Sequence, residues 1–234
     1  MVAIIPTRKG STGLPGKALA PLAGKPMLYY TITAALRAKS LESVFVASDD
    51  PAVLTYAKEL SVPTLSLRSE TTRDNSATVD SLAYCVPEIR QTTGYDGPIV
   101  TLRATSPLRT SVHIEAAIEL FHLKQYESLV SVFSDTTCNP IRAKAINSSG
   151  LLVNFAEFDE HLGERLAPIL RQALPPAYFR NGAIYITPQW ALEERCLWTR
   201  NCGAYIMSKK DSVNVNNADD LVIAEALLRH ATIP

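Results

Sequence analysis

The chain has 234 residues, and its 23 Lys plus Arg balance its 23 Asp plus Glu, so the formal net charge is zero. Hydrophobic residues make up 47% and charged residues 20%, an ordinary globular composition that argues against a general nucleic-acid or membrane-surface binder. A chain of this length buries about 70% of the surface its unfolded form exposes, enough for one large domain without covalent staples.

Val2 to Pro6 is a short apolar run closed by Pro, and predicts a buried strand rather than a signal peptide. A basic, Gly-rich loop follows from Thr7 to Lys17. Pro26 to Arg37 carries a broad apolar stripe and predicts a helix, with Pro26 in its first turn. Ser43 to Ser48 predicts the next strand, Pro51 to about Leu60 a helix, and Val62 to Leu67 a short strand. Ser76 to Ile89 has a helical pattern with Pro87 near its end. Ile99 to Arg103 predicts a strand, Ser111 to Phe121 a helix, and Leu129 to Phe133 a strand. From Asn139 to Phe179 the rhythm breaks. Lys144 to Phe155 suggests a hairpin turning at Asn147 to Gly150, and the segment is either an excursion packed on a second subunit or a long surface loop. Gly182 to Thr187 and Gly203 to Met207 return to strands, and Ala218 to His230 predicts a closing helix. Strand and helix alternating through short loops predicts a three-layer α/β fold with a mostly parallel sheet, which binds ligands beyond the carboxyl ends of its strands.

The absences narrow the chemistry. Cys85, Cys138, Cys196 and Cys202 contain no C-x-x-C pair, which suggests a reducing, cytoplasmic setting. The four histidines form no H-E-x-x-H, there is no G-x-S-x-G, and no apolar run reaches the ~20 residues of a membrane span. The strongest positive signal is Arg8-Lys9-Gly10-Ser11-Thr12-Gly13-Leu14-Pro15-Gly16-Lys17. Glycines let backbone N–H groups approach an anion, and the flanking cations neutralise phosphate; the alternative is a solvated basic turn. The string is neither a Walker A loop nor G-x-G-x-x-G. Thr105-Ser106-Pro107-Leu108-Arg109 follows a strand and offers hydroxyls and a guanidinium to a ribose or sugar, or simply opens a helix. Arg180-Asn181-Gly182 stands before a strand at the same edge, as a site or as a β-turn.

Together these strings resemble the acylneuraminate cytidylyltransferases, the CMP-sialic acid synthetases. The likeness runs over essentially the whole chain: the first loop, Leu19 to Leu36, Ala47-Ser48-Asp49-Asp50, T-S-P-L-R at 105–109, N-G-A-I-Y at 181–185, and Tyr205 to Ser212. The resemblance implies transfer of CMP from CTP to a sialic-type acid, with release of pyrophosphate. It places Arg8, Gly10, Ser11, Thr12, Gly13 and Lys17 on the triphosphate, Arg68 and Thr78 near the cytosine, and Thr105 and Ser106 on the nucleotide. Arg109, Arg180 and Asn181 fall to the sugar, while Arg142 and Arg171 reach the sugar carboxylate of a neighbouring subunit, which implies a homodimer.

The departures from the family fall in the site. Its S-K-G is Ser11-Thr12-Gly13, its K-N is Lys17-Ala18, and its L-Q-P is Leu102-Arg103-Ala104. Its D-S-x-D-x-D is Asp211-Ser212-Val213-Asn214-Val215-Asn216, so the family's two carboxylate ligands for magnesium are amides, and Asp49 or Asp211 are the remaining candidates. Three readings stay open: an active enzyme in which Arg103 takes over part of the metal's work, an enzyme for a different acid such as a phosphonate, or a catalytically silent nucleotide-binding relative.

Overall fold

A computed structural model describes residues 1–10, 13–68, 78–155 and 174–231. Seven strands form one sheet: β1 (Val2–Pro6), β4 (Ser43–Ser48), β5 (Thr64–Ser66), β6 (Ile99–Leu102), β7 (Ser128–Ser134), β10 (Tyr178–Thr187) and β11 (Cys202–Met207), in the order β11-β7-β10-β6-β1-β4-β5. β10 runs antiparallel to both neighbours, and the other four pairings are parallel. Two small ribbons stand apart: β2 (Pro21–Leu22) with β3 (Lys25–Pro26), and β8 (Lys144–Ile146) with β9 (Leu152–Asn154).

The central strands are mostly apolar because both of their faces are covered. Ala3 and Ile5 of β1, Val44 and Val46 of β4, and Val100 and Leu102 of β6 point to one face. There they meet α1 (Met27–Leu36), α2 (Pro51–Glu59) and α4 (Ser111–Leu123). Val2, Ile4, Phe45, Ala47 and Ile99 point to the other face, against α3 (Thr78–Thr93) and the short helix Gln189–Glu193. This period-2 division makes the molecule three layers. Local chemistry fixes the helix starts: Asp50 accepts the Ala52 N–H at 3.0 Å with Pro51 next to it, and Thr110 and His113 cap α4 reciprocally. The closing helix, Ala218–Ala231, packs Ala224 on Leu22, Met27 and Val215.

Three boundaries differ from the sequence reading. The predicted Val62–Leu67 strand shortens to Thr64–Ser66. α3 continues past Pro87 to Thr93, its buried Val86 and Ile89 holding the helix on the sheet. β10 starts at Tyr178, so Arg180 and Asn181 lie inside a strand rather than in a turn before it. A bulge between Arg180 and Tyr185, with Gly182 at φ +75°, absorbs the irregularity. The excursion leaves β7 through Asn139, whose side chain accepts from the Ile141 N–H and donates to the Pro175 carbonyl on the return path at 2.9 Å. Its hairpin turns at Asn147, as the sequence reading expects.

Candidate active site

The carboxyl ends of β1, β4 and β6 face one edge, and the first loop is laid across it. The Thr7 N–H donates to the Ala47 carbonyl at 2.8 Å and the Lys9 N–H to Asp49 Oδ1 at 2.7 Å, which ties the loop to the end of β4. Gly13 packs so closely on the Asn216 carbonyl that an added Cβ would sit 2.5 Å from that oxygen. Gly16, in the left-handed region at φ +62°, then turns the chain into the 3-10 segment Lys17–Leu19. Partial burial lowers the Lys17 pKa, and the like charges of Arg103 and Arg8 lower it further against the pull of Asp220. Three cations and one carboxylate, Asp220, thus lie within electrostatic reach of one another, an excess of positive charge.

Arg103 immediately follows β6 and joins this group to a cavity of about 480 Å³. The cavity is lined by Arg103, Asn214, Gly182 and Asn181, and by Tyr178, Phe179, Arg180 and Tyr185 from β10; among the described residues its wall carries two cations and no carboxylate. Lys17 is not among these lining residues, so the loop and the cavity meet through Arg103. The loop after β6 is fastened to the segment containing Asn214 by the Val215 N–H, which donates to the Thr105 carbonyl at 2.8 Å. The hydroxyls of Thr105 and Ser106 are buried without a partner among the described residues.

Two residues that the resemblance assigns to substrate have inward partners. Arg109 is 1% exposed; its Nη1 donates to the Ala183 carbonyl at 2.9 Å and the Arg103 carbonyl at 3.2 Å. Burial pushes its pKa down to about 9. It braces β10 against the loop after β6. Asn181 touches the cavity, but its Oδ1 accepts from Ser131 Oγ (2.6 Å) and the Ala183 N–H (3.0 Å), while its Nδ2 donates to Ser212 Oγ at 2.9 Å. Buried and fully engaged, it joins β7, the β10 bulge and the 3-10 segment Lys210–Ser212. Arg180 is different: its guanidinium lies over the Trp198 ring, 4.5 Å from the centroid. In the sequence no spacing signal links Trp198 to Arg180.

The remaining predicted residues scatter. Arg68 follows β5 and packs its guanidinium over Tyr84; Thr78 opens α3. Arg142 is exposed in the 3-10 turn Pro140–Arg142 of the excursion, outside the cavity wall. Gly10 is exposed. Ser11, Thr12 and Arg171 lie outside the described residues.

The donor set does not fit a carboxylate-held magnesium ion. Asn214 lines the cavity, and its Oδ1 is buried and unpartnered among the described residues, but it is a neutral amide in a cavity whose wall also carries the Arg103 guanidinium. Asn216 is exposed, with its Nδ2 turned back to the Asn214 carbonyl. Asp211 accepts from Ser208 Oγ at 2.6 Å and stands 3.7 Å from His113, and Asp49 accepts from the Lys9 N–H. Among the described residues no three His, Cys, Asp or Glu side chains converge on one point. Among them, too, no helix is long and apolar enough to cross a membrane.

Residues 2–193 match the model of a cytidylyltransferase family. The chain is 31% identical to an N-acylneuraminate cytidylyltransferase of Streptococcus agalactiae over 94% of its own length, and spans about half (51%) of that protein. It is 28% identical to a CMP-N,N'-diacetyllegionaminic acid synthase of Legionella pneumophila, over 97% of this chain and 96% of that one. Among solved structures, a CMP:2-keto-3-deoxy-manno-octonic acid synthetase complexed with CTP superposes with a TM-score of 0.71 at 18% identity, covering 98% of both chains.

Proposed function

The chain belongs to the cytidylyltransferase family, and from that premise we propose that it transfers CMP from CTP to an acidic, nonulosonic-type sugar, with release of pyrophosphate. The observation that carries this reading is the junction at Arg103. On one side Lys17 and Arg8 crowd it with positive charge at the carboxyl edge of the parallel strands; on the other lies a cavity whose wall holds a second guanidinium, Arg180. The first side suits a polyphosphate and the second an acid. In such a transfer a hydroxyl of the acceptor attacks the α-phosphorus, a new P–O bond forms, and the bond to the pyrophosphate oxygen breaks. The protein's work is then alignment and neutralisation of charge rather than covalent chemistry. The relatives named for acylneuraminic and legionaminic acids support the acceptor class.

The partner proposed for the excursion is a second copy of this chain. Its hairpin leaves Ile146, Leu152 and Phe155 each more than 70% accessible, apolar surface that an isolated monomer rarely leaves in water. The deciding experiment is pyrophosphate release from CTP over a panel of sialic, legionaminic and pseudaminic acids and phosphonates. Release with a sugar acid supports the reading; release with phosphonates alone reassigns the acceptor. CTP binding without turnover favours a silent relative, which the amides at 214 and 216 also favour. Sedimentation of the same sample checks the dimer.

A further inference from the structure

The mismatch between the family's magnesium site and the residues present here has its own logic. The position of the Arg103 guanidinium is built. Gly182 sits at the β10 bulge with a left-handed backbone, and a Cβ there would come 3.3 Å from Arg103 Nη1 and 3.5 Å from its Cδ. The bulge thus leaves space that the guanidinium fills. The backbone carbonyl of Arg103 is held separately, by Arg109 Nη1 at 3.2 Å and Thr31 Oγ1 at 3.5 Å, so the strand end stays fixed whatever the side chain does. Among the described residues Arg103 forms no ion pair. The amide of Asn214 lies beside the same point, its Nδ2 3.9 Å from that Cβ position. A divalent cation placed there would face a guanidinium and neutral amides; a phosphate would meet a fork of N–H donors.

We propose that Arg103, with Lys17, supplies the positive charge that neutralises the polyphosphate of the nucleotide, so that CTP binds this chain without a divalent metal. The inference rests on the CTP reading above and names how that site handles charge. Gly182 is the residue that makes room for it, and the Asn214 amide leaves the guanidinium without a competing carboxylate.

The experiment is calorimetric titration of the chain with CTP in excess EDTA and again in excess magnesium, alongside titration with manganese alone. CTP affinity should agree within about threefold between the two buffers, and manganese alone should give no saturable heat. Arg103→Gln should weaken CTP in EDTA by about tenfold or more, the loss expected when one charge-assisted contact disappears, while Arg103→Lys keeps part of the affinity. Unchanged melting temperatures would show that both variants are folded. The variant carrying Arg103→Gln, Asn214→Asp and Asn216→Asp should regain CTP binding only when magnesium is present. Binding of CTP by the unaltered chain only with magnesium, or stoichiometric manganese binding, overturns this inference and leaves the CTP reading standing. Absence of CTP binding in both buffers overturns the CTP reading, and this inference with it.

Discussion

The Arg180 guanidinium rests on the Trp198 ring at 4.5 Å, and the stretch carrying Trp198 is anchored on both sides. The Leu197 carbonyl accepts from Thr187 Oγ1 at 2.7 Å, and the Thr199 N–H donates to Ser128 Oγ at 2.9 Å. The ring is therefore a fixed shelf for a cation on the cavity wall. Trp198→Ala should raise KM for the acid acceptor several-fold and change kcat little, because it frees a guanidinium that binding must then order. Trp198→Phe should retain most of the effect. Steady-state kinetics on the three proteins check this, and an equal fall in kcat and KM effects for both variants would count against the shelf.

Gly182→Ala tests the bulge. The substitution forces a Cβ into the left-handed region, at about 1–2 kcal/mol, and crowds Arg103. Expected together are a lower melting temperature and weaker CTP binding; scanning calorimetry and titration on the same sample measure both.

Arg109 is a brace and its removal should cost stability. Arg109→Ala takes away donors to two buried carbonyls and leaves an unfilled space, for a loss of about 2–4 kcal/mol. In a chain of this size that should lower Tm by roughly 5–10 °C. If Arg109 acted on substrate alone, Tm would hold and only acceptor kinetics would change.

Asp135 gives a pH signature. Lys209 Nζ at 2.6 Å, followed by the Thr137 hydroxyl and N–H, holds its carboxyl well below the usual carboxylate range. A carboxyl depressed in the folded state contributes stability above its unfolded pKa of about 4, and loses it as the pH falls below that value. The melting temperatures of the parent and Asp135→Asn should differ at pH 7 and draw together as the pH drops below about 4.

The central layer was legible because its strands are covered on both faces and read as apolar runs between turn residues: Val2–Ile5, Val44–Ala47, and Ile99–Leu102 with Thr101 as its one polar member. The segment from Arg8 to Lys17 was legible as a loop, since it carries three glycines and a proline directly after a buried strand. Pieces of two or five residues, β2, β3 and the helix Gln189–Glu193, are too short to show a period. Arg180-Asn181-Gly182 read as a site or a β-turn standing before the strand; the pairing of β10 with β7, from partners about fifty residues away, draws Arg180 and Asn181 into the strand itself. Distance in sequence likewise hid the tasks of Asn181, which bonds Ser131 and Ser212, and of Arg109, which bonds Ala183. Residue type announced that both were polar and near the edge; only their partners reveal that they face inward.

The fastening at Asn139 has one more consequence. Ser134 and Tyr178 sit opposite each other as rungs of the β7–β10 ladder, and the Asn139 side chain closes the path again at Pro175. The chain departs from and rejoins the sheet at a single doorway, so everything between is topologically a graft on one hairpin. Lengthening such a loop costs only logarithmically in closure entropy, about 0.6 kcal/mol per doubling. Among the described residues of this graft none lines the cavity that holds Arg103, so on that side the length of the graft and the shape of the cavity wall can change independently.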